Sequence, residues 1–74
     1  MKIQVTYTWS ARSSVHPQDS RFAGVCGVQV YPTADDTQYN VVGPVGAVAR
    51  WLTGATEGEP REAVAALGTA RALP

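Results

Sequence analysis

The sequence predicts an α+β fold in which a three-stranded antiparallel sheet carries two C-terminal helices packed on one face. Polar and apolar residues alternate with a period of two in the first part of the chain, whereas apolar residues recur every three to four positions after Gly43. Strands that come first and helices that come last are typical of the α+β class. With 74 residues the chain has room for a single domain, residues 1–74.

The first strand is predicted over residues 2–11. Its apolar positions are Ile3, Val5, Tyr7, Trp9 and Ala11, and its polar positions are Lys2, Gln4, Thr6, Thr8 and Ser10. Side chains alternate between the two faces of a strand, so this pattern predicts one buried face and one face open to solvent.

Two further strands are predicted, over residues 21–31 and 38–42, joined by a turn at 32–37. In the second strand, one set of alternate positions is more aliphatic than the other and is expected to face the core. This set contains Phe22, Cys26, Val28 and Val30. In the third strand Tyr39 and Val41 are expected to face the core, which leaves Gln38, Asn40 and Val42 on the open side. The turn is dense in residues that favour turns.

Two helices complete the prediction. Pro44 suits a first helical turn and Gly54 a helix end, and between them Val45, Val48, Ala49 and Leu52 share one face. A second helix is predicted from Pro60 to about residue 73, with an apolar stripe of Ala63, Ala66, Leu67, Ala70 and Leu73. Leu52 and Leu67 are expected to be the core contacts that join the helices to the sheet.

Composition argues against several classes of protein. Six Lys and Arg residues balance six Asp and Glu residues, which argues against a protein built to grip phosphate backbones. A single cysteine forms neither an internal disulfide nor a thiolate metal site, and this favours a cytoplasmic location. No signal peptide and no membrane span are expected, because the longest apolar stretch, VVGPVGAVA, contains Gly and Pro and is too short to cross a bilayer.

The residues with catalytic potential do not form a convincing site. His16 is predicted at the end of a hairpin loop and Cys26 about five residues down the following strand, at roughly 3.3 Å per residue, which is too far for a hydrogen bond. Ser13 and Ser14 lack the Gly-x-Ser-x-Gly motif of a nucleophile elbow. Asp35 and Asp36 lack a third metal ligand. We therefore predict no catalytic residue, no metal site and no cofactor, and hence no enzyme.

What remains is the solvent side of the sheet, which is rich in uncharged hydrogen-bonding groups. Interface cores are depleted in charge and enriched in tyrosine, so this face is a candidate protein-binding platform. Its candidate residues are Thr6, Thr8, Gln29, Tyr31 and Asn40, with Arg12 and Arg21 as candidates for its rim. The competing interpretation is an ordinary solvated sheet face, since threonine favours strands in any case.

Three segments, in order, carry a resemblance to a known class of protein. MKIQVTYTW as a first strand, VARWLTG as a helix that ends in Trp-x-x-Gly, and the Ala-rich REAVAALGTARAL resemble small phage-encoded anti-CRISPR inhibitors. The resemblance implies a non-catalytic viral inhibitor that acts in the host cytoplasm. Its partner would be a host protein or ribonucleoprotein complex, here a CRISPR surveillance complex or nuclease that it occludes.

Two alternatives to an inhibitor stay open. A single-stranded nucleic-acid-binding or adaptor module would use Tyr31 to stack bases, but that design needs a positive groove, which the balanced charge argues against. An enzyme that uses Cys26 or His16 ranks last. The two edges of a three-stranded sheet would also allow a homodimer through strand pairing.

Overall fold

The computed structural model describes residues 1–10 and 13–74 and has an α+β fold. In chain order its elements are β1 (Lys2–Thr8), α1 (Ser20–Cys26), β2 (Gln29–Pro32), β3 (Gln38–Pro44), α2 (Val45–Ala55), α3 (Pro60–Leu67) and β4 (Arg71–Ala72). The strands form one antiparallel sheet in the order β2-β3-β1-β4. The predicted class is confirmed, but the sheet has four strands rather than three and the helices are not all C-terminal.

The two central strands, β1 and β3, are paired along their full lengths, from Lys2 opposite Pro44 to Thr8 opposite Gln38. The alternation predicted for both strands is confirmed. The side chains buried on one face of this pair are Ile3, Val5, Tyr7, Tyr39 and Val41. β1 ends at Thr8, before the predicted end of the strand at residue 11, and β3 continues two residues beyond Val42.

The prediction of a strand over residues 21–31 is wrong, because residues 20–26 form a helix. The Asp19 side chain accepts hydrogen bonds from the backbone N–H groups of Arg21 (3.0 Å) and Phe22 (3.2 Å), which caps the helix at its start. Gly27, at φ 85°, ends the helix in the left-handed conformation that glycine adopts without strain. These two caps outweigh the strand-like composition, and only the last residues of the predicted strand lie in β2.

Helix α2 confirms the first predicted helix and supplies the centre of the core. Val48 and Leu52 are buried as expected, and Trp51, which is not among the residues of the predicted apolar face, is fully buried as well. Val45, by contrast, is exposed at the start of the helix. The Trp51 ring meets the Tyr7 ring edge-on, with centroids 5.2 Å apart, and so joins α2 to β1.

The second predicted helix ends at Leu67 instead of residue 73, and the chain then turns back to form β4. Thr69 explains the early end: its Oγ1 accepts a hydrogen bond from the Thr6 N–H (2.7 Å) and donates one to the Ala66 carbonyl (2.6 Å). The chain is thereby held at the edge of β1, and Arg71 pairs with Gln4. Leu67 is 39% exposed, so its predicted core contact is wrong, and Ala66 is the buried residue of this helix.

The longest described helix is α2, with 11 residues, whereas about 20 are needed to cross the hydrocarbon core of a bilayer. None of the helices in residues 1–10 and 13–74 therefore has the length and apolar character of a membrane span.

The contrast between the two leucines gives a stability test. Leu52→Ala removes a fully buried side chain and should lower the free energy of unfolding by about 2–5 kcal/mol. Leu67→Ala removes a side chain that is 39% exposed and lies outside the core cluster, and it should cost less than about 1 kcal/mol. Denaturant unfolding monitored by tryptophan fluorescence measures both values, and equal losses for the two variants would contradict the placement of α3.

Two helical glycines give a second test because their surroundings differ. A Cβ at Gly24 in α1 would meet no atom within 4 Å, whereas a Cβ at Gly54 in α2 would overlap the Phe22 ring. Gly24→Ala should therefore stabilise the protein by about 0.5–1 kcal/mol through helix propensity alone. Gly54→Ala should destabilise it by about 1 kcal/mol, because overpacking against Phe22 outweighs the same gain. Thermal unfolding of the two variants should show shifts of opposite sign.

Candidate functional site

The sheet face that points away from the buried residues brings together five of the predicted site residues. Tyr31 lies opposite Asn40, which lies opposite Thr6, so these three form one row across β2, β3 and β1. Gln29 begins the neighbouring row, and Thr8 lies at the far end of β1. We define the open face as Lys2, Gln4, Thr6, Thr8, Gln29, Tyr31, Gln38, Asn40, Val42 and Arg71.

Hydrogen bonds between side chains order the middle of the open face. The Tyr31 hydroxyl donates to Gln29 Oε1 (2.7 Å), and the Thr6 hydroxyl donates to Asn40 Oδ1 (3.3 Å). The Tyr31 ring nevertheless remains 48% exposed. The middle of the open face therefore presents an aromatic ring and amide groups whose side chains are hydrogen-bonded to their neighbours, as a surface that binds a partner would.

A groove extends the open face at the Thr8 end. It lies between the sheet and α3 and has a volume of about 450 Å³. Its lining residues are Thr6, Thr8, Trp9, Ser10, Gln38, Glu62, Ala65, Ala66 and Thr69. Three of these residues belong to the open face, so the groove and the face form one continuous surface.

One of the two predicted rim arginines lies away from this surface. Arg12 lies outside the residues that the structure describes. Arg21 is exposed in the first turn of α1, a helix that packs against α2 and contributes Ala23 and Cys26 to the core. Arg21 therefore lies on the helical side of the sheet, in a helix rather than in the predicted second strand.

His16 and Cys26 lie at opposite ends of β3. The His16 ring packs against Trp9 (centroids 4.8 Å apart) and Tyr39 (6.0 Å), near the start of that strand. Cys26 is buried at the end of α1, next to Gly27, whose carbonyl oxygen approaches Gly43 near the end of β3. Four residues of strand, about 13 Å, separate these two places. The structure therefore does not bring the two side chains together.

The two loop serines are hydrogen-bonded to the end of α2. The Ser13 hydroxyl donates to the Ala55 carbonyl (2.7 Å), and the Ser14 N–H donates to Glu57 Oε1 (2.8 Å), which the Ser14 hydroxyl also contacts. These two Ser14 hydrogen bonds hold the pKa of the Glu57 carboxyl below its usual value. The bonds attach the loop to the helix. The carbonyl that Ser13 contacts is not a base, and the lowered pKa of Glu57 makes its carboxylate a weak one for activating Ser14.

A similar structural role explains Asp35. Its Oδ1 accepts hydrogen bonds from the N–H (2.8 Å) and the hydroxyl (2.7 Å) of Thr37, which lower the pKa of the carboxyl. This is turn chemistry rather than metal chemistry. Within residues 1–10 and 13–74, no three His, Cys, Asp or Glu residues are grouped so that they could hold a metal ion.

No family model, curated protein or solved structure matches the chain. The geometry of the open face is therefore the basis for assigning a function. The sequence pattern does not predict that Arg71 belongs to that face, because it places the residue in a helix. A two-residue strand has no periodicity by which it could have been found.

The burial of Cys26 predicts that its thiol reacts slowly. Only 4% of the residue is exposed, so a thiol-specific reagent should label the native protein much more slowly than the unfolded protein. The measurement compares labelling rates with and without denaturant. Rapid stoichiometric labelling of the native protein would show that α1 opens readily or is misplaced.

Proposed function

We propose that this protein is a small non-catalytic binding protein that engages a partner protein through its open face. The observation that carries the proposal is the ordered row of Tyr31, Asn40 and Thr6, with the neighbouring Val42 and Gln29. Tyrosine combines a large apolar ring with a hydroxyl that can form hydrogen bonds, and it is enriched at interfaces for that reason.

None of the three side chains in this row belongs to the buried core. The buried side chains that hold the sheet to the helices point to the opposite face, and Tyr31 contacts solvent over about half of its surface. An amphipathic aromatic ring at such a place can contribute binding energy with little loss of folding energy when it is removed. This separation makes the proposal testable.

A second candidate function is binding of single-stranded nucleic acid. Two observations favour it: Tyr31 presents an exposed ring on a sheet face, and β4 places the cation of Arg71 on the same face. Equal numbers of acidic and basic residues in the chain weigh against it. Salt separates the two candidates, because binding to phosphates weakens steeply with salt and a largely uncharged protein interface does not.

We further propose, from the resemblance to anti-CRISPR proteins, that binding inhibits a host protein or ribonucleoprotein complex in the cytoplasm by occlusion. A non-catalytic protein can inhibit a larger complex by covering the site where the substrate of that complex enters. The proposal that the partner is a CRISPR complex or nuclease rests on the resemblance alone.

The proposal predicts that Tyr31 carries a large share of the binding energy. Tyr31→Ala should weaken binding to a partner captured from host lysate by at least about 1 kcal/mol, or roughly fivefold in Kd. The fold should be unchanged, since the ring is half exposed. Calorimetry with the purified partner, at two salt concentrations, measures the loss and also tests the nucleic-acid alternative.

Two control variants locate the site. Val25→Ala removes an apolar side chain that is 78% exposed on α1, on the helical side, and should leave Kd unchanged. His16→Ala should also have little effect. If His16→Ala abolishes binding and Tyr31→Ala does not, the open face is the wrong surface and the loop before α1 becomes the site.

A further inference from the structure

Two cations lie side by side at one end of the open face. Arg71 is opposite Gln4 in the pairing of β4 with β1, and Lys2 precedes Gln4 by two residues on the same face. Residues in this diagonal relation have Cα atoms about 7–8 Å apart, which is within reach of two long side chains toward a common point. Both residues are exposed.

The structure supplies no counter-charge for this pair. The open face contains no Asp or Glu, and no carboxylate in the described part of the chain forms an ion pair with Lys2 or Arg71. Like charges held close together on one face are unfavourable in the free protein. An anion between them would remove that repulsion and gain charge-assisted hydrogen bonds, and the guanidinium of Arg71 matches a carboxylate with two parallel donors.

Negative charge lies at the other end of the same surface. Asp35 and Asp36 lie in the turn that leads into Gln38, and both are exposed. The length of β1, about 20 Å, separates this end from Lys2. Among the described residues, these two aspartates and the two cations therefore lie at opposite ends of the open face.

We propose that the partner presents an acidic segment of protein whose carboxylates lie between Lys2 and Arg71. This inference rests on the proposed function and adds the chemistry of the partner to it. The charge separation favours a protein over a nucleic acid: a strand of nucleic acid carries a phosphate at every nucleotide, so a strand along the face would also meet the acidic end. An acidic peptide segment can place its carboxylates at one end alone.

An oligo-glutamate peptide with blocked termini serves as the probe, titrated into the protein while backbone amide signals are followed by NMR. The signals that shift should be those of Lys2, Gln4 and Arg71, and not those of Asp35, Asp36 and Gln38. Lys2→Gln and Arg71→Gln, each made separately, should weaken binding at least about threefold. Arg21→Gln is the matched control, since it removes the same charge from the helical side, and it should leave the affinity within experimental error.

The outcomes separate this inference from the proposed function. Absence of peptide binding, an equal loss with Arg21→Gln, or tighter binding of an oligothymidylate of the same charge would each overturn the acidic partner. If any of these results is found while Tyr31→Ala still weakens binding of the captured protein partner, the open face remains the binding surface and only the acidic chemistry of the partner is rejected. If Tyr31→Ala has no effect on that partner but the peptide still binds at Lys2 and Arg71, the proposed role of Tyr31 is rejected and the acidic-peptide site is kept.

Discussion

The packing of Trp51 is the contact on which the rest of the structure depends. Its ring is fully buried and meets Tyr7 of β1 edge-on, and it also lies 6.2 Å from the Phe22 ring of α1. One side chain thus joins the sheet to both helices of that layer. Gly54, one turn along from Trp51, leaves the space that Phe22 occupies. A large aromatic side chain contributes more buried apolar area than any other single residue, so a domain of this size gains much of its core from it.

Packing α1 and α2 on one face leaves the other face and two edges to be accounted for. On one side the edge strand is β4, which has only two residues, and Thr69 occupies the edge of β1 beside Thr6. At the other edge β2 has only four residues and ends in Pro32, which has no N–H to donate to an added strand. Both edges are therefore poor templates for strand addition. The open face is the extended surface that remains, which is why the proposed function is placed there.

The parts of the fold that the sequence predicts are those in which periodicity and local structure agree. In β1, β3 and α2, the apolar residues of the alternation or of the helical stripe are the residues that the tertiary structure buries. Five site residues lie on one face because they occupy alternate positions along their strands. The prediction for residues 20–26 is wrong because their composition resembles that of a strand. The decisive signals for a helix are the capping residues Asp19 and Gly27. Strand β4 is not predicted for another reason: it exists only because Arg71 and Ala72 pair with the opposite end of the chain. Such a pairing produces no pattern in the local sequence, so the sequence does not place Arg71 on the open face either.

The dimensions of the open face set a condition on any stable complex. Two strands of seven residues, one of four and one of two, at about 3.3 Å per residue and about 4.8 Å apart, give a patch of roughly 300 Å² in projection. A standard interface buries about 800 Å² on each partner, so the strands alone provide less than half of that area. The groove beside α3 adjoins the face through Thr6, Thr8 and Gln38 and can supply part of the remainder. A partner that only lies on the strands would belong to the weak and transient class. A tight-binding inhibitor would instead have to receive a segment of its partner in the groove, with Lys2 and Arg71 contributing at the far end chiefly to orientation and association rate.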